Sequence, residues 1–306
     1  MGADVAVVLC RGGCRTTVVE LNPERAANVS QLVQTGLSQL DAAQQVNKLS
    51  VAASLDEVDW ASVDVVIECI PERLDIKQTL FSQLEAHARP DTLLASNSSS
   101  FPISAIAQGL ETRERMLGLH FFMPAHLTPL VEVVCGEATD LECAQNLHAF
   151  MRQCGMVPVL VRKDLPGFLA NRMQHALARE AFALIDAGVA SSEDVDAAVR
   201  FGFGFRFLAA GPVLQRDHAG LEVHCAAAAT MYPSLAANKE PGRCLEQKVA
   251  EGKLGMKTGE GFFAWTEQSM AKERQRYQKT LLAGLQILKA ELPPVGDADI
   301  ARKETI

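Results

Sequence analysis

Several things are missing from this chain, and each absence removes a class of protein. No apolar run approaches the roughly 20 residues that a bilayer-spanning helix needs, and no secretory signal is legible, so neither a membrane role nor export is expected. There is no surplus of cations: 29 Lys and Arg stand against 37 Asp and Glu, a net charge of −8. Nucleic-acid binding needs clustered basic side chains to neutralise phosphates, so no nucleic-acid partner is expected, although a local basic pocket is compatible with this balance. The eight cysteines show none of the paired spacings that hold zinc; Cys10 and Cys14 are the closest two. The expectation is therefore no metal, buried reduced thiols and a cytoplasmic location.

What is present suits a soluble enzyme. The chain has 306 residues, enough for two cores, with 48% hydrophobic and 22% charged residues. Up to residue 163 apolar runs alternate with helical patterns. Propensity predicts strands at 4–10, 16–20, 49–53, 63–70, 91–96, 116–122, 130–134 and 157–161. Helices are predicted from Asn22 to about residue 45, where Asn22 is a cap, Pro23 suits the first turn and Glu24 favours the positive dipole end. Others fall at 73–88, 102–108 and 140–153, with a capping box at Ser54–Glu57. This alternation predicts an α/β, doubly wound, mostly parallel sheet over residues 1–163. From Pro166 the strand runs stop, and helices are expected near 166–187, 192–201, 212–231, 242–252 and 269–291, giving an all-helical domain over 164–306.

Three polar groups stand at ends of or within successive strands. Ser96-Asn97-Ser98-Ser99-Ser100 follows one apolar run, His120 ends the next, and Glu132 lies twelve residues further inside a third. Open α/β sheets bind ligands at one such edge. A hydroxyl, an imidazole and a carboxylate gathered there suit oxidation of an alcohol: imidazole takes the hydroxyl proton, and a carboxylate on its other nitrogen fixes the tautomer and stabilises the imidazolium. At the other end of this half, Gly2, Gly13 and Glu20 match only the back part of the dinucleotide fingerprint. Gly2 stands 18 residues before Glu20, but no first strand and no first pair of glycines precede it. Judged alone, that is a weak signal.

Taken in order, Met1-Gly2, Glu20, Glu68-Cys-Ile-Pro-Glu72, Ser96–Ser100, Gly118-Leu-His-Phe-Phe122, Leu130-Val-Glu-Val133, Pro166-Gly-Phe-Leu-Ala-Asn-Arg172, Gly211-Pro212, Asp217, Gly220-Leu221 and Gly255-Met-Lys-Thr-Gly-Glu-Gly-Phe262 resemble the 3-hydroxyacyl-CoA dehydrogenase family. The resemblance runs from residue 1 to about 265. The Gly202-Phe-Gly-Phe-Arg206 turn and the long C-terminal helix look more like the branch that holds λ-crystallin and L-gulonate 3-dehydrogenase.

The resemblance implies a Rossmann-type domain lacking its first strand, NAD as cofactor and a homodimer formed through the helical domain. It makes His120 the catalytic base, Glu132 its partner and Ser99 a contact to the substrate oxygen, with Asn171 reaching that oxygen from the second domain. Gly2, Glu20, Glu72, Lys77 and Asn97 become cofactor-site residues. Glu20 favours NAD over its phosphorylated form, since a carboxylate repels a 2′-phosphate. The leading expectation is oxidation of an L-3-hydroxyacyl-CoA to the 3-ketoacyl-CoA. Two departures open alternatives: Met123 stands where the family usually has Asn, and the segment from Glu24 to Leu55 is shorter than in acyl-CoA members. A free 3-hydroxy acid, gulonate- or carnitine-like, is the second expectation, and a non-catalytic structural relative the third. The incomplete fingerprint also leads to the expectation that Met1 is internal to a longer natural chain.

Overall fold

Val5, Val7 and Val8 are β-branched, yet the segment that holds them is a helix. A computed structural model describes residues 1–296, 298 and 300 and places α1 at Gly2–Arg11. The strand expected at 4–10 is corrected by packing. Val5, Val8 and Leu9 face one core, with Leu93, Ala95, Leu117 and Phe121, while Ala6, Val7 and Cys10 face another, with Val29, Val33 and Leu37. A short helix buried on two sides is apolar nearly all round, and its sequence cannot be told from a buried strand by periodicity.

Strand β1 is Thr16–Val19 and β2 is Leu49–Ala52; they pair in parallel, Thr16 opposite Leu49. Between them α2 runs over Pro23–Gln39, and the Asn22 side chain accepts the Arg25 N–H at 3.1 Å, as the cap reading requires. The helix stops short of residue 45 because the chain turns at Asp41, in the left-handed region, and continues as a tight 3₁₀ segment over Ala43–Lys48. The expected box does not form: Ser54 makes no side-chain cap, and Glu57 accepts the N–H of Ala53, one residue before the cap.

The second sheet holds β3 (Val65–Glu68), β4 (Leu93–Ser96), β5 (Met116–Phe121), β6 (Leu130–Cys135) and β7 (Val157–Val161), in that spatial order. Every neighbouring pair is parallel except β5–β6, which is an antiparallel hairpin. Helices α3 (Leu74–His87), α4 (Ile103–Ile106) and α5 (Leu141–Gln153) connect and cover these strands. β4 and β5 are buried from end to end, as central parallel-type strands with helices on both faces should be.

Contacts divide the chain into two compact units, Met1–Asn171 with the tail from Lys289, and Arg172–Leu288. The sequence boundary at 163 therefore differs from the packing boundary. Phe168 is buried in the core of the first unit, and the tail returns to it, with Gly296 N–H on Gln153 O and Ala298 N–H on Gly12 O. The second unit is helical: most of α6 (Ala170–Asp186), then α7 (Ser192–Ala197), α8 (Gly204–Arg206), α9 (Leu214–Ala219), α10 (Leu221–Met231), α11 (Arg243–Ala250) and α12 (Glu267–Ile287). No described helix is long and apolar enough to cross a membrane. This is a Rossmann-like domain followed by a helical domain, with the α/β sheet in two pieces.

Candidate active site

The antiparallel β5–β6 ladder sets His120 directly opposite Glu132. Their side chains lie on the same face, where cross-strand neighbours meet, and His120 Nδ1 lies 2.7 Å from Glu132 Oε2. Both are buried. A carboxylate can only accept here, so Nδ1 carries the hydrogen and Nε2 is left as the basic nitrogen. The other oxygen of Glu132 accepts the N–H groups of Leu169 and Ala170, at 3.0 and 2.8 Å. These are backbone donors at the start of α6, which no intrahelical carbonyl can satisfy. The carboxylate thus has three donors and no exposure to water. The imidazole is held edge-on between Phe122 and Phe168, with ring centroids 4.6 and 5.6 Å away. Phe168 follows Gly167, and both have positive φ, 51° and 78°. A phenylalanine in that region stores strain, which its burial against the imidazole offsets.

The serine-rich loop is built around a second carboxylate. Glu72 Oε1 accepts the hydroxyls of Ser98 and Ser100 at 2.6 and 2.8 Å and the backbone N–H groups of Ser99 and Ser100 at 3.1 and 3.0 Å. Partial burial raises the Glu72 pKa, but the hydrogen bonds from Ser98 and Ser100 and the nearby Lys77 charge outweigh it and hold the carboxyl down at about 2. The Ser99 side chain remains exposed at the loop surface. Asn97 joins this loop to the histidine strand, its Oδ1 accepting the Phe121 N–H at 2.8 Å.

Beneath the loop lies a group that sequence reasoning did not single out. Glu68 ends β3 fully buried, and its carboxylate accepts Lys77 Nζ at 2.8 and 2.9 Å, the Ser96 hydroxyl at 2.6 Å and the Ile70 N–H at 2.6 Å. The signal was available: a carboxylate inside the apolar run 63–70 must find partners or lose its charge. Lys77 is 1% exposed, and its ammonium also lies 3.3 Å from Glu72. Its partners are Glu68 and Glu72, and through Glu72 it supports the serine-rich loop. Burial, and secondly the Glu68 charge, push the Cys69 thiol up to about 12.

Gly2 and Glu20 are brought to one cavity of about 1930 Å³ that runs along β1 and β3. The N-terminus of α1 has no side-chain cap, so its free N–H groups are available to an anion. A helix N-terminus that donates N–H groups and a carboxylate at the end of the next strand that accepts hydroxyls are what a dinucleotide's pyrophosphate and ribose require, and in that respect these residues fit NAD. Asn171 lies in the first turn of α6, inside the first unit and not in the second, two residues after the Leu169 amide that meets Glu132. Met123 is exposed beside Pro124. Among the described residues no group of three or more His, Cys, Asp or Glu side chains could hold a metal ion.

Comparison with known proteins bears on this arrangement. Residues 1–165 match the NAD-binding domain model of 3-hydroxyacyl-CoA dehydrogenase, and residues 167–265 match the C-terminal domain model of the same family. The chain is 32% identical over 295 residues to 5-formyl-3-hydroxy-2-methylpyridine 4-carboxylate 5-dehydrogenase of Mesorhizobium japonicum, covering 94% of this chain and 95% of that one. It is also 32% identical over 280 residues to human mitochondrial hydroxyacyl-coenzyme A dehydrogenase, covering 87% and 88%. Among solved structures, one of a 5-formyl-3-hydroxy-2-methylpyridine 4-carboxylic acid 5-dehydrogenase, described as an NAD⁺-dependent dismutase, superposes with a TM-score of 0.89 at 30% identity, covering 94% and 95%. A 3-hydroxybutyryl-CoA dehydrogenase from Escherichia coli superposes at 0.71 with 31% identity, covering 87% of this chain and 57% of that one. A Rossmann-like domain carrying a buried imidazole–carboxylate pair, followed by a helical domain, and matched over most of its length by both models, belongs to the 3-hydroxyacyl-CoA dehydrogenase family of NAD-dependent oxidoreductases.

Proposed function

We propose that the chain oxidises a secondary alcohol with His120 as general base, and the buried His120–Glu132 pair carries that reading. Glu132 holds Nδ1, which turns Nε2 toward the substrate hydroxyl and stabilises the imidazolium once the proton arrives. The alcohol oxygen is held by the Ser99 hydroxyl and the Asn171 amide, which fixes the carbon for transfer. Bound NAD supplies the hydride acceptor. Gly2 and the α1 N-terminus take its pyrophosphate and Glu20 its adenosine ribose, while Asn97 and Glu72 shape the loop beside the reacting end.

For the substrate we take a small free hydroxy acid. Two observations favour it: the α2–β2 connection contains only one short 3₁₀ segment and no further helix that could contact a CoA moiety, and the TM-score of 0.89 is with an enzyme named for a pyridine carboxylate. A second reading, an L-3-hydroxyacyl-CoA, is favoured by relatives such as the probable 3-hydroxybutyryl-CoA dehydrogenase of Bacillus subtilis, 30% identical over 279 residues. Steady-state NAD reduction with a panel of free hydroxy acids and with 3-hydroxybutyryl-CoA separates them. Turnover confined to the thioester overturns the first reading, and no turnover on either set overturns both. The active form in this reading is a homodimer, working in the cytoplasm; the dimer is supported by the helices of the second unit, none of which contains a buried side chain while Phe201, Phe205, Val213 and Tyr232 are exposed on that unit.

A further inference from the structure

The Glu132 carboxylate takes two of its three donors from a stretch of chain that belongs to no strand. After β7 ends at Val161, residues 162–169 cross to α6 without regular structure. Within it Leu165-Pro166-Gly167-Phe168 makes a turn, closed by the Phe168 N–H on the Leu165 carbonyl at 2.8 Å, with Gly167 at φ 78°. Gly167 takes that conformation freely; Phe168, next in line at φ 51°, does not. A non-glycine residue keeps such a conformation only where its surroundings over-determine it. Downstream, the hydrogen bonds from Leu169 and Ala170 to Glu132 do so, and Phe168 itself is buried beside His120. Upstream, Arg162, Lys163, Leu165 and Pro166 are exposed, whereas Asp164 is partly buried and reaches back into the fold.

Asp164 Oδ2 accepts the Ser104 N–H at 2.7 Å. That amide stands in the first turn of α4, a helix with Pro102 ahead of it and no side-chain cap from its own end. Its early N–H groups need acceptors from elsewhere, and Asp164, sixty residues on, supplies one. The contact is closely fitted. Ser104 Oγ accepts the Glu137 N–H at 2.8 Å, and a methyl built on Gly136 would lie 3.2 Å from both Ser104 N and Oγ. α4 follows directly on the serine-rich loop, whose Ser98 hydroxyl accepts the Phe101 N–H at 3.1 Å. Asp164 therefore ties the segment that donates to Glu132 to the segment that carries Ser99. We infer that Asp164 is a positioning residue: by holding residues 165–170 against α4 it keeps the Leu169 and Ala170 N–H groups on Glu132, and so sets the proton affinity of His120. Its part in catalysis rests on the His120 reading above.

Positioning and plain charge act with opposite signs. His120 and Glu132 face each other between Phe122 and Phe168, while Arg162 and Asp164 both act on the Cys135 thiol of β6. Freeing the turn takes donors from Glu132, leaves more negative charge facing the imidazole and raises the proton affinity of the pair. Deleting the Asp164 charge with the turn in place lowers it. The test compares the wild type with Asp164→Asn, which keeps an acceptor for Ser104 but not the charge, and with Asp164→Ala, which keeps neither. NMR without NAD or substrate follows the His120 ring nitrogens through a pH titration and the exchange of the Leu169 and Ala170 amides. In Asp164→Ala both amides should exchange at least about tenfold faster, and the apparent pKa of the pair should rise by roughly one unit. Asp164→Asn should keep the wild-type exchange and show no rise. The acid limb of kcat/KM against pH should move with the titration, and kcat/KM at its optimum should fall roughly 10- to 100-fold in Asp164→Ala. A lower Tm with unchanged exchange and titration makes Asp164 merely structural and overturns the inference, as does a pKa that falls in both variants. If Asp164→Ala does not fold, Asp164→Glu, which keeps the charge but lengthens the side chain, should move exchange and titration in the same direction; a wild-type pattern there overturns the inference. The expected NMR pattern in a protein that turns over no alcohol leaves the role of Asp164 standing and defeats the alcohol-oxidation reading.

Discussion

At the scale of single residues, the site rests on two carboxylates used in opposite ways. Glu132 is enclosed and faces an imidazole, and Glu72 is half-open and gathers a loop. Replacing His120 with Gln removes the base and should lower kcat by roughly 10²–10⁴-fold with the fold intact, read by steady-state kinetics alongside circular dichroism. Glu132→Gln should cost activity on a similar scale, because an amide can present its NH₂ to Nδ1 and leave the wrong tautomer. Glu72 titrates at about 2 in the folded chain, below the ordinary carboxylate value of 4.5. A depressed carboxylate contributes stability that is full above its unfolded pKa and is lost as pH falls through the folded one. The difference in urea stability between the wild type and Glu72→Gln should therefore be largest above pH 5 and shrink between pH 4.5 and about 2. Cys69, held protonated up to about pH 12, should resist alkylation at pH 8 in the native protein, whereas exposed Cys225 should react; mass spectrometry after iodoacetamide treatment checks both.

At the scale of elements, the legible parts were those whose pattern has a single solution. The runs at 91–96, 116–122, 130–134 and 157–161 are all strands near their expected bounds, with Ser99 just past the end of one, His120 near the end of the next and Glu132 inside the third. The misreading of α1 shows the opposite case, a ten-residue apolar stretch whose period is hidden because two faces are buried. The Glu68–Lys77 pair is a third case: the apolar run says that Glu68 needs a partner but not which one, since Lys77 lies nine residues away on a helix and only folding joins them. Breaking it should be severe. Lys77→Met leaves Glu68 buried without its cation and should destabilise the chain by about 3–5 kcal/mol in equilibrium unfolding. The α1–α2 contact is also tight, since a methyl built on Gly36 would lie 2.6 Å from Val7 Cγ2. Gly36→Ala should cost about 1–3 kcal/mol through overpacking, and Val7→Ala in the same chain should recover part of it.

At the scale of the whole molecule, composition could say that the C-terminal part is helical but not what its apolar residues touch. Those residues remain on the surface of the second unit, with Phe201 73% exposed and Val213 78%. Light scattering should report twice the mass of one chain, and the double substitution Phe201→Glu, Phe205→Glu should return it to a single chain if that face carries the interface. His126 shows how little a lone histidine reveals in sequence: it lies mostly enclosed, 2.9 Å from Gln39 and 3.3 Å from Asp4.

The ladder between β5 and β6 has a consequence for variation. Because His120 and Glu132 meet through backbone register, the distance between them in sequence carries no chemical weight; it only records the length of the connection 122–129. Residues added to that connection leave the proton-transfer pair in place as long as the hairpin re-forms in the same register. A slip of one residue along β6 would set Val131 or Val133 opposite the imidazole and turn the carboxylate to the other face. Across distant members of such a fold, the alternation of the two strands should therefore persist where the spacing drifts.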